Sequence, residues 1–364
     1  MKAKDIIETM DQWANPSLAY SWDKSGLATG SPNDSVSRVL TALTITSDTI
    51  TAAKKFKADM IVSHHPLIWE PISTLRTDNP TSKLILNTLK NEIACYSAHT
   101  NLDVVAGGVN HVLARRLGLS NISPLFPSET GKQLKLITFV PPEHLAIVRT
   151  ALSEAGAGHI GNYDQCSFAS EGKGSFIPND AASPYSGTKG YMTEVEEIRL
   201  EMLLPHYREG EVIRALRKSH PYEEVAYDLI QLTNTDENIT LGLQGELSKP
   251  LNLDTFGRKI KEALEISHVR VTGKKNDKVK RIAVMGGAGG SMASKIPSDI
   301  DVFVTGDVKY HETLDAMEAG LNMIDAGHHG TEKWIAHEIA VYLKDKLPAV
   351  KFKAFEETDP FRIV

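Results

Sequence analysis

Met60-Ile-Val-Ser-His-His-Pro-Leu-Ile-Trp69 carries an apolar, β-branched run straight into two adjacent histidines and a proline. The run reads as a strand over residues 58–63, and Pro66, which has no N–H for a ladder, lies beyond its end. Working outward, residues 48–57 read as a helix, and Ser37-Arg-Val-Leu-Thr-Ala-Leu-Thr-Ile-Thr46 as a second strand. On the other side follow a helix over 82–91, a strand over 93–98 and a helix over 105–117. At the start, Ile6, Ile7, Met10 and Trp13 recur at helical spacing until Asn15-Pro16 ends the pattern. Strands alternating with helices in this way predict an α/β fold, a mostly parallel sheet with helices on both faces.

The pattern changes after Asn121-Ile-Ser-Pro-Leu-Phe-Pro127. Strands over 133–140, from Cys166, over 194–204 and over 224–232, with helices over 143–155 and 209–219, spell βαβ twice. That is the ferredoxin-like α+β order. The earlier alternation then returns, with helices over 253–264, 310–319 and 332–344 and strands over 279–285, 302–305 and 323–326. The chain therefore divides into residues 1–124, the first half of an α/β core, 125–238, an inserted ferredoxin-like domain, and 239–364, the second half. Neither flank has enough strands to bury a sheet of its own, so the two read as one interrupted core.

Composition narrows the function classes. The 364 residues fit such a multi-domain chain, and 41% hydrophobic with 24% charged residues supports a real core. A formal net charge of −6, with no Lys/Arg clusters interleaved with aromatics, argues against nucleic-acid partners. Cys95 and Cys166 are the two cysteines, which points to a reduced, cytoplasmic setting and excludes a thiolate metal site. No apolar run reaches membrane-spanning length, and Met1-Lys-Ala-Lys-Asp-Ile-Ile-Glu-Thr-Met10 lacks the apolar core of a signal peptide. A cytoplasmic chain without membrane association is the expectation.

Functional groups in parallel sheets gather beyond the carboxyl ends of the strands. His64 and His65 follow one such end directly, Ser97-Ala-His-Thr-Asn-Leu-Asp103 follows a second, and Asp325-Ala-Gly-His-His-Gly-Thr-Glu332 a third. Imidazoles and carboxylates at these places suit divalent ions of the Zn, Mn, Fe or Co type. His64, His65, Asp103, His328 and Glu332 are the candidate ligands. Neighbouring side chains on extended backbone point to opposite sides, so His64 and His65 suit two ions better than one. Asp103 or Glu332 would then bridge, as carboxylates do in paired sites. Glu332 falls in the first turn of the 332–344 helix on this reading, with Gly330 or Thr331 as its N-cap.

Trp22-Asp23 with Gly26-Leu27, Ser63-His-His-Pro66, Thr100-Asn-Leu-Asp103, Gly306-Asp-Val-Lys-Tyr-His311 and Gly327-His328 through Glu332 together resemble the NIF-three-like family, whose members carry the name GTP cyclohydrolase 1 type 2 homolog. The resemblance covers both flanks, and the insert resembles the PII/CutA-like domain of the longer bacterial members. It implies a dinuclear centre held by His64, His65, Asp103, His328 and Glu332. It also implies a ring-shaped homohexamer with sites facing an internal cavity. Two segments depart from the family pattern: Trp22-Asp-Lys-Ser-Gly26 replaces the usual Trp-Asp-Asn-Val-Gly, and Leu43-Thr-Ile-Thr46 lacks an Asp common in that strand.

Other residues have a plainer reading beside a functional one. Met285-Gly-Gly-Ala-Gly-Gly-Ser291 follows a strand, and Gly286, Gly287, Gly289 and Gly290 could turn backbone N–H groups on a phosphate; a flexible turn is the stronger reading. His99, Lys309 and His311 are candidates for proton transfer or substrate anchoring, against an orienting hydrogen bond for the first and helix-start decoration for the others. In the insert, Gly156–Tyr163, Cys166-Ser-Phe168 and His220-Pro-Tyr-Glu-Glu224 form a second polar group, which turn chemistry and trimer contacts account for. The leading functional expectation is a hydrolase using two divalent ions per chain on a small nucleotide or phosphate-bearing substrate. The rival is a non-catalytic metal-handling or regulatory protein whose insert senses a ligand.

Overall fold

Met60–Ser63 and Ala94–Ser97 are buried along their whole length, which explains why their sequences are apolar runs rather than alternations. In the computed structural model, which describes residues 1–364, they lie parallel to each other and to Arg38–Ala42, with Val39 beside Met60 and Met60 beside Ala94. Lys351–Ala354 adds a parallel strand at one edge and Gly26–Thr29 an antiparallel one at the other, giving a five-stranded sheet. Its helices follow simple rules. Ala3–Trp13 buries Ala3, Ile6 and Met10 along one face, and Ser47–Phe56 starts on a Thr46 side chain that accepts from the Thr49 N–H.

The later flank builds a second sheet of six strands, ordered Arg270–Val271, Asn322–Asp325, Val302–Thr305, Lys278–Val284, Thr240–Asn252 and Ser120–Pro127. The pairs among Lys278–Val284, Val302–Thr305 and Asn322–Asp325 are parallel, whereas the other three pairings are antiparallel. This corrects the expectation of one interrupted, mostly parallel sheet. The two flanks instead exchange edge strands that the sequence pattern hid, Lys351–Ala354 joining the first sheet and Ser120–Pro127 the second, so they form one interrupted core of two sheets. Leu253–Leu264 packs on the second sheet through Phe256, Ile260 and Leu264, all fully buried, at roughly 1.5–3 kcal/mol per side chain.

The chain forms two compact units, residues 1–127 with 238–364, and residues 128–237. Residues 125–127, read from sequence as part of the insert, belong to Ser120–Pro127, which pairs with Thr240–Asn252 in the six-stranded sheet. The unit of residues 128–237 has an all-antiparallel sheet in the order Ser167–Phe176, Thr193–Pro205, Lys132–Val140, Tyr227–Thr235. Helices Leu145–Glu154 and Glu209–Ser219 close its core through Val148, Leu152, Val212 and Leu216. No helix of the chain is long and apolar enough to cross a membrane.

Candidate metal centre

Strand ends from both core sheets deliver the candidate ligands. His64 and His65 follow Met60–Ser63, and their N–H groups bond to the Ala42 and Leu43 carbonyls, which fixes the turn. Asp103 rides on the short helix Thr100–Val104, just past Ala94–Ser97. The helix predicted over 105–117 begins only at Val109, because Gly107 is in a positive-φ conformation and Gly108 touches the Leu102 carbonyl where any Cβ would clash. His328 and Glu332 open and close the helix His328–Glu332, whose N-cap is Gly327 at φ 75°. This corrects the placement of Glu332 in the first turn of the last helix, which begins at Ile335. The i, i+4 spacing puts both side chains on one helix face.

His64 is fully buried, and its Nδ1 donates to the Ala98 carbonyl at 2.9 Å. A carbonyl accepts only, so the tautomer is set and Nε2 carries a free lone pair. That Nε2 has no hydrogen-bond partner; it faces Asp103 Oδ1 at 3.4 Å and Glu332 Oε1 at 4.0 Å. Burial pushes the imidazole down to about 3, so it stays neutral. On the other side, Glu332 Oε2 lies 3.0 Å from His65 Nε2 and 3.0 Å from His328 Nε2. Three sets of donor atoms thus lie within 4.8 Å of one another: His64, Asp103 and Glu332; His65, His328 and Glu332; and His64, His65 and His99. Glu332 belongs to two of them through different oxygens.

The charges within this cluster are strained in ways that a cation would relieve. Burial, and then the neighbouring Glu332 carboxylate, raise the Asp103 carboxyl above its ordinary range. Burial also works against ionised Glu332, but hydrogen bonds from His328 and His65 outweigh it and hold this carboxyl well below the usual range. The Glu332 hydrogen bond is likewise the main cause that lifts His328 to about 9, with Asp307 assisting at Nδ1, 2.8 Å away. An orphaned buried imidazole nitrogen, two crowded carboxylates and a carboxylate oxygen 3.0 Å from two imidazole nitrogens fit a divalent-ion site.

Outer contacts orient these candidate ligands. His65 Nδ1 lies 2.8 Å from the Thr44 hydroxyl, and the Thr44 N–H donates to Glu357 at 2.7 Å. Thr44 stands in Leu43-Thr-Ile-Thr46, the segment without the usual Asp, and supplies a hydroxyl to the imidazole. Thr44→Val is expected to weaken ion binding at His65 by about 10–100-fold without unfolding the chain. Titration against a chelator of known affinity checks this, and unchanged binding would remove Thr44 from the account.

Asp23 was quoted from the sequence only as part of a motif, yet it organises one wall of the cluster. Its side chain is fully buried and accepts from His99 Nδ1 at 2.9 Å, the Thr100 N–H at 3.0 Å and Ser25 Oγ at 2.9 Å. Burial, which would raise its pKa, is outweighed by His99 and Thr100, and the carboxyl is held far below its ordinary value. His99 in turn has its ring 5.1 Å from that of His64 and 5.8 Å from that of His65. Only its placement among other side chains reveals this, since nothing local to Trp22-Asp23 predicts a buried carboxylate.

The remaining candidates stand apart. Lys309 is 81% exposed and lies beside Glu312, while the exposed His311 packs its ring on Tyr310; both serve the start of helix Tyr310–Glu318. The glycine loop does not form a phosphate cradle: the N–H groups of Gly286, Gly287 and Gly289 already donate to Asn110, Thr331 and Thr305. Its glycines serve close approach instead. A Cβ on Gly287 would meet Glu332 Oε1 at 2.3 Å, and one on Gly290 would meet Glu312 Oε2 at 2.4 Å. A cavity of about 670 Å³ opens beside His328 and Asp307, between the 265–270 loop and residues 357–363, and its carboxylates outnumber its Lys and Arg side chains five to three.

Comparison with known proteins places the chain in a family. The family model described as Duf34/NIF3 (NGG1p interacting factor 3) matches residues 1–360. A Halalkalibacterium halodurans protein named GTP cyclohydrolase 1 type 2 homolog is 40% identical over 364 residues, spanning 99% of this chain and 98% of its own. A Bacillus subtilis protein of the same name is 39% identical over 366 residues, again 99% and 98%. Among solved structures, a Bacillus cereus protein related to NIF3 superposes with a TM-score of 0.85 at 40% identity, covering 100% of this chain and 99% of that one. A mixed α/β core of two sheets, a His/carboxylate cluster at their strand ends and a family match along nearly the whole length lead to one conclusion: the chain belongs to the Duf34/NIF3 family.

Proposed function

We propose that the chain binds two divalent ions and hydrolyses a small nucleotide or phosphate-bearing substrate. His64, Asp103 and Glu332 would hold one ion, and His65, His328 and Glu332 the other, with Glu332 shared. The observation that carries the reading is the buried, partnerless Nε2 of His64 facing two carboxylates, while the second Glu332 oxygen faces two further imidazoles. Ions at such a site acidify water and polarise the bond under attack. The chain's own groups orient the ligands: Ala98 holds His64, Thr44 holds His65 and Asp307 holds His328. His99, fixed by Asp23 through Nδ1, would use its other ring nitrogen to carry a proton or to meet an ion beside His64 and His65. The adjoining cavity is not basic, so a substrate's negative charge would depend on the ions for its balance.

The βαββαβ order of residues 128–237 supports a PII/CutA-like insert within the same proposal. A homohexamer belongs to it as well, and sedimentation of the full chain tests that assembly. The functional test is metal content on protein purified without chelator, followed by hydrolysis of a nucleotide and phosphoester panel. Close to two ions per chain with metal-dependent turnover is the expected result. Two ions with no turnover would transfer the protein to metal handling, and no ions would end both readings.

Ion loading carries a pH signature. In the metal-free chain His328 holds its proton to about 9, so an ion must displace it and binding tightens as pH rises from 6 to 9. The raised pKa also stabilises the metal-free fold fully below pH 6.5, a contribution lost as pH rises through about 9. Calorimetric Zn²⁺ titrations in buffers of different ionisation heat should report proton release at pH 7.5. Binding without proton release would contradict the assigned ligand set.

A further inference from the structure

Two tryptophans stand at the wall of the candidate centre without a role in holding it. Trp22 is 57% exposed and Trp69 45%, although each indole is in ring contact with His99. The Trp22 ring meets that imidazole at 6.2 Å and 74°, and the Trp69 ring at 5.0 Å and 90°. Tyr20 lies flat against Trp22, with centroids 5.8 Å apart and planes 2° from parallel. Isolated exposed apolar side chains are ordinary on a protein surface. Two half-exposed indoles flanking one imidazole, itself 5.1 Å from the ring of His64, are a concentrated aromatic surface beside a polar cluster.

Hydrogen bonds tie together the residues around these rings. His99 is bonded through Nδ1 to the buried Asp23 carboxylate, which also fixes Ser25 and Thr100, and Thr100 Oγ1 accepts from the Tyr20 N–H. Trp22 adjoins Asp23 in sequence, and Trp69 follows the His64-His65 turn. The aromatic surface is thereby mounted on the same backbone that presents the candidate ligands. Indole rings offer a planar group a large contact area while only two side-chain torsions are fixed for each ring.

We propose that Trp22 and Trp69 form a binding site for a planar heteroaromatic ring of the substrate, of the nucleobase class, held against the His99 side of the centre. The choice of a neutral or anionic ring rests on the two-ion reading above. Aromatic surfaces also attract organic cations, but two divalent ions in the neighbouring cluster would repel one. Stacking on aromatic side chains tolerates any base, because each has a π-face. The site therefore selects a flat ring over a saturated one, and discriminates weakly among bases.

Equilibrium dialysis with the full chain tests this, using guanosine 5′-monophosphate, cytidine 5′-monophosphate and ribose 5-phosphate as probes, each with metal-stripped and Zn²⁺-treated protein. Both nucleotides are expected to bind at least about tenfold more tightly than ribose 5-phosphate. Trp22→Leu and Trp69→Leu should each weaken nucleotide binding by about tenfold, and Trp22→Phe and Trp69→Phe should recover most of it. Zn²⁺ content should be the same in all four variants. Equal affinity for ribose 5-phosphate and the nucleotides, or leucine variants that bind like the parent chain, would overturn the assignment. So would unchanged nucleotide binding accompanied by a lower oligomer mass, which would assign the indoles to contacts between copies. If the parent chain holds no Zn²⁺ yet prefers nucleotides in a Trp-dependent way, the metal reading fails and the aromatic site stands.

Discussion

Glu332→Gln is expected to empty both ion positions at once, whereas Asp103→Asn empties one. The asymmetry follows from geometry. Glu332 Oε1 faces His64, and Oε2 lies 3.0 Å from both His65 and His328, while Asp103 belongs to the His64 set alone. A neutral amide keeps the volume of Glu332 but loses the charge and one acceptor oxygen. Loss of an outer partner typically costs about 10–100-fold in metal affinity. Loss of a shared ligand should exceed about 100-fold at each position. Metal analysis after equilibrium dialysis reads the result, with circular dichroism to confirm that the fold survives. Retention of two ions by Glu332→Gln, or loss of both by Asp103→Asn, would refute the sharing.

Asp23→Ala should produce the largest loss of stability among the site residues. The side chain is fully buried and accepts from His99, Thr100 and Ser25, as well as from the Lys24 N–H at 2.6 Å. Removing this buried carboxylate leaves the partly buried His99, Thr100 and Ser25 donors without their acceptor, which costs about 3–5 kcal/mol by analogy with broken buried pairs. For a unit of this size that corresponds to a fall in Tm of roughly 10 °C. The pH dependence has a definite sign. A carboxyl held below its ordinary 3.8 stabilises the fold above that pH and loses the contribution as pH falls below it. The gap between parent and variant should accordingly narrow in acid below pH 3.8, and a gap independent of pH there would show that the Asp23 charge is not what stabilises the fold.

What the sequence revealed, and what it concealed, follows from the range of the forces involved. Met60–Ser63 and Ala94–Ser97 were legible because strands buried on both faces leave continuous apolar runs. Gly26–Thr29 and Lys351–Ala354 were not, since four-residue edge strands gain their stability from pairing with Ala94–Ser97 and Arg38–Ala42 and carry little pattern of their own. Missing those edges made two sheets look like one. The His328–Glu332 helix hid behind its glycine, although the i, i+4 spacing of a histidine and a glutamate was the available signal. That His64, His65, Asp103, His328 and Glu332 lie together was legible because strand ends converge. The roles of Asp23 and Thr44 were not, because they depend on His99 and His65 arriving from elsewhere in the chain.

Electron paramagnetic resonance of the Mn²⁺-loaded chain distinguishes a paired centre sharing Glu332 from two separate sites. Ions bridged by one carboxylate lie about 3.5–4 Å apart and couple magnetically. An exchange-coupled spectrum that appears as loading reaches two ions per chain, and disappears in Glu332→Gln, is the predicted result. A spectrum of isolated ions at every loading would show that Glu332 does not bridge two ions.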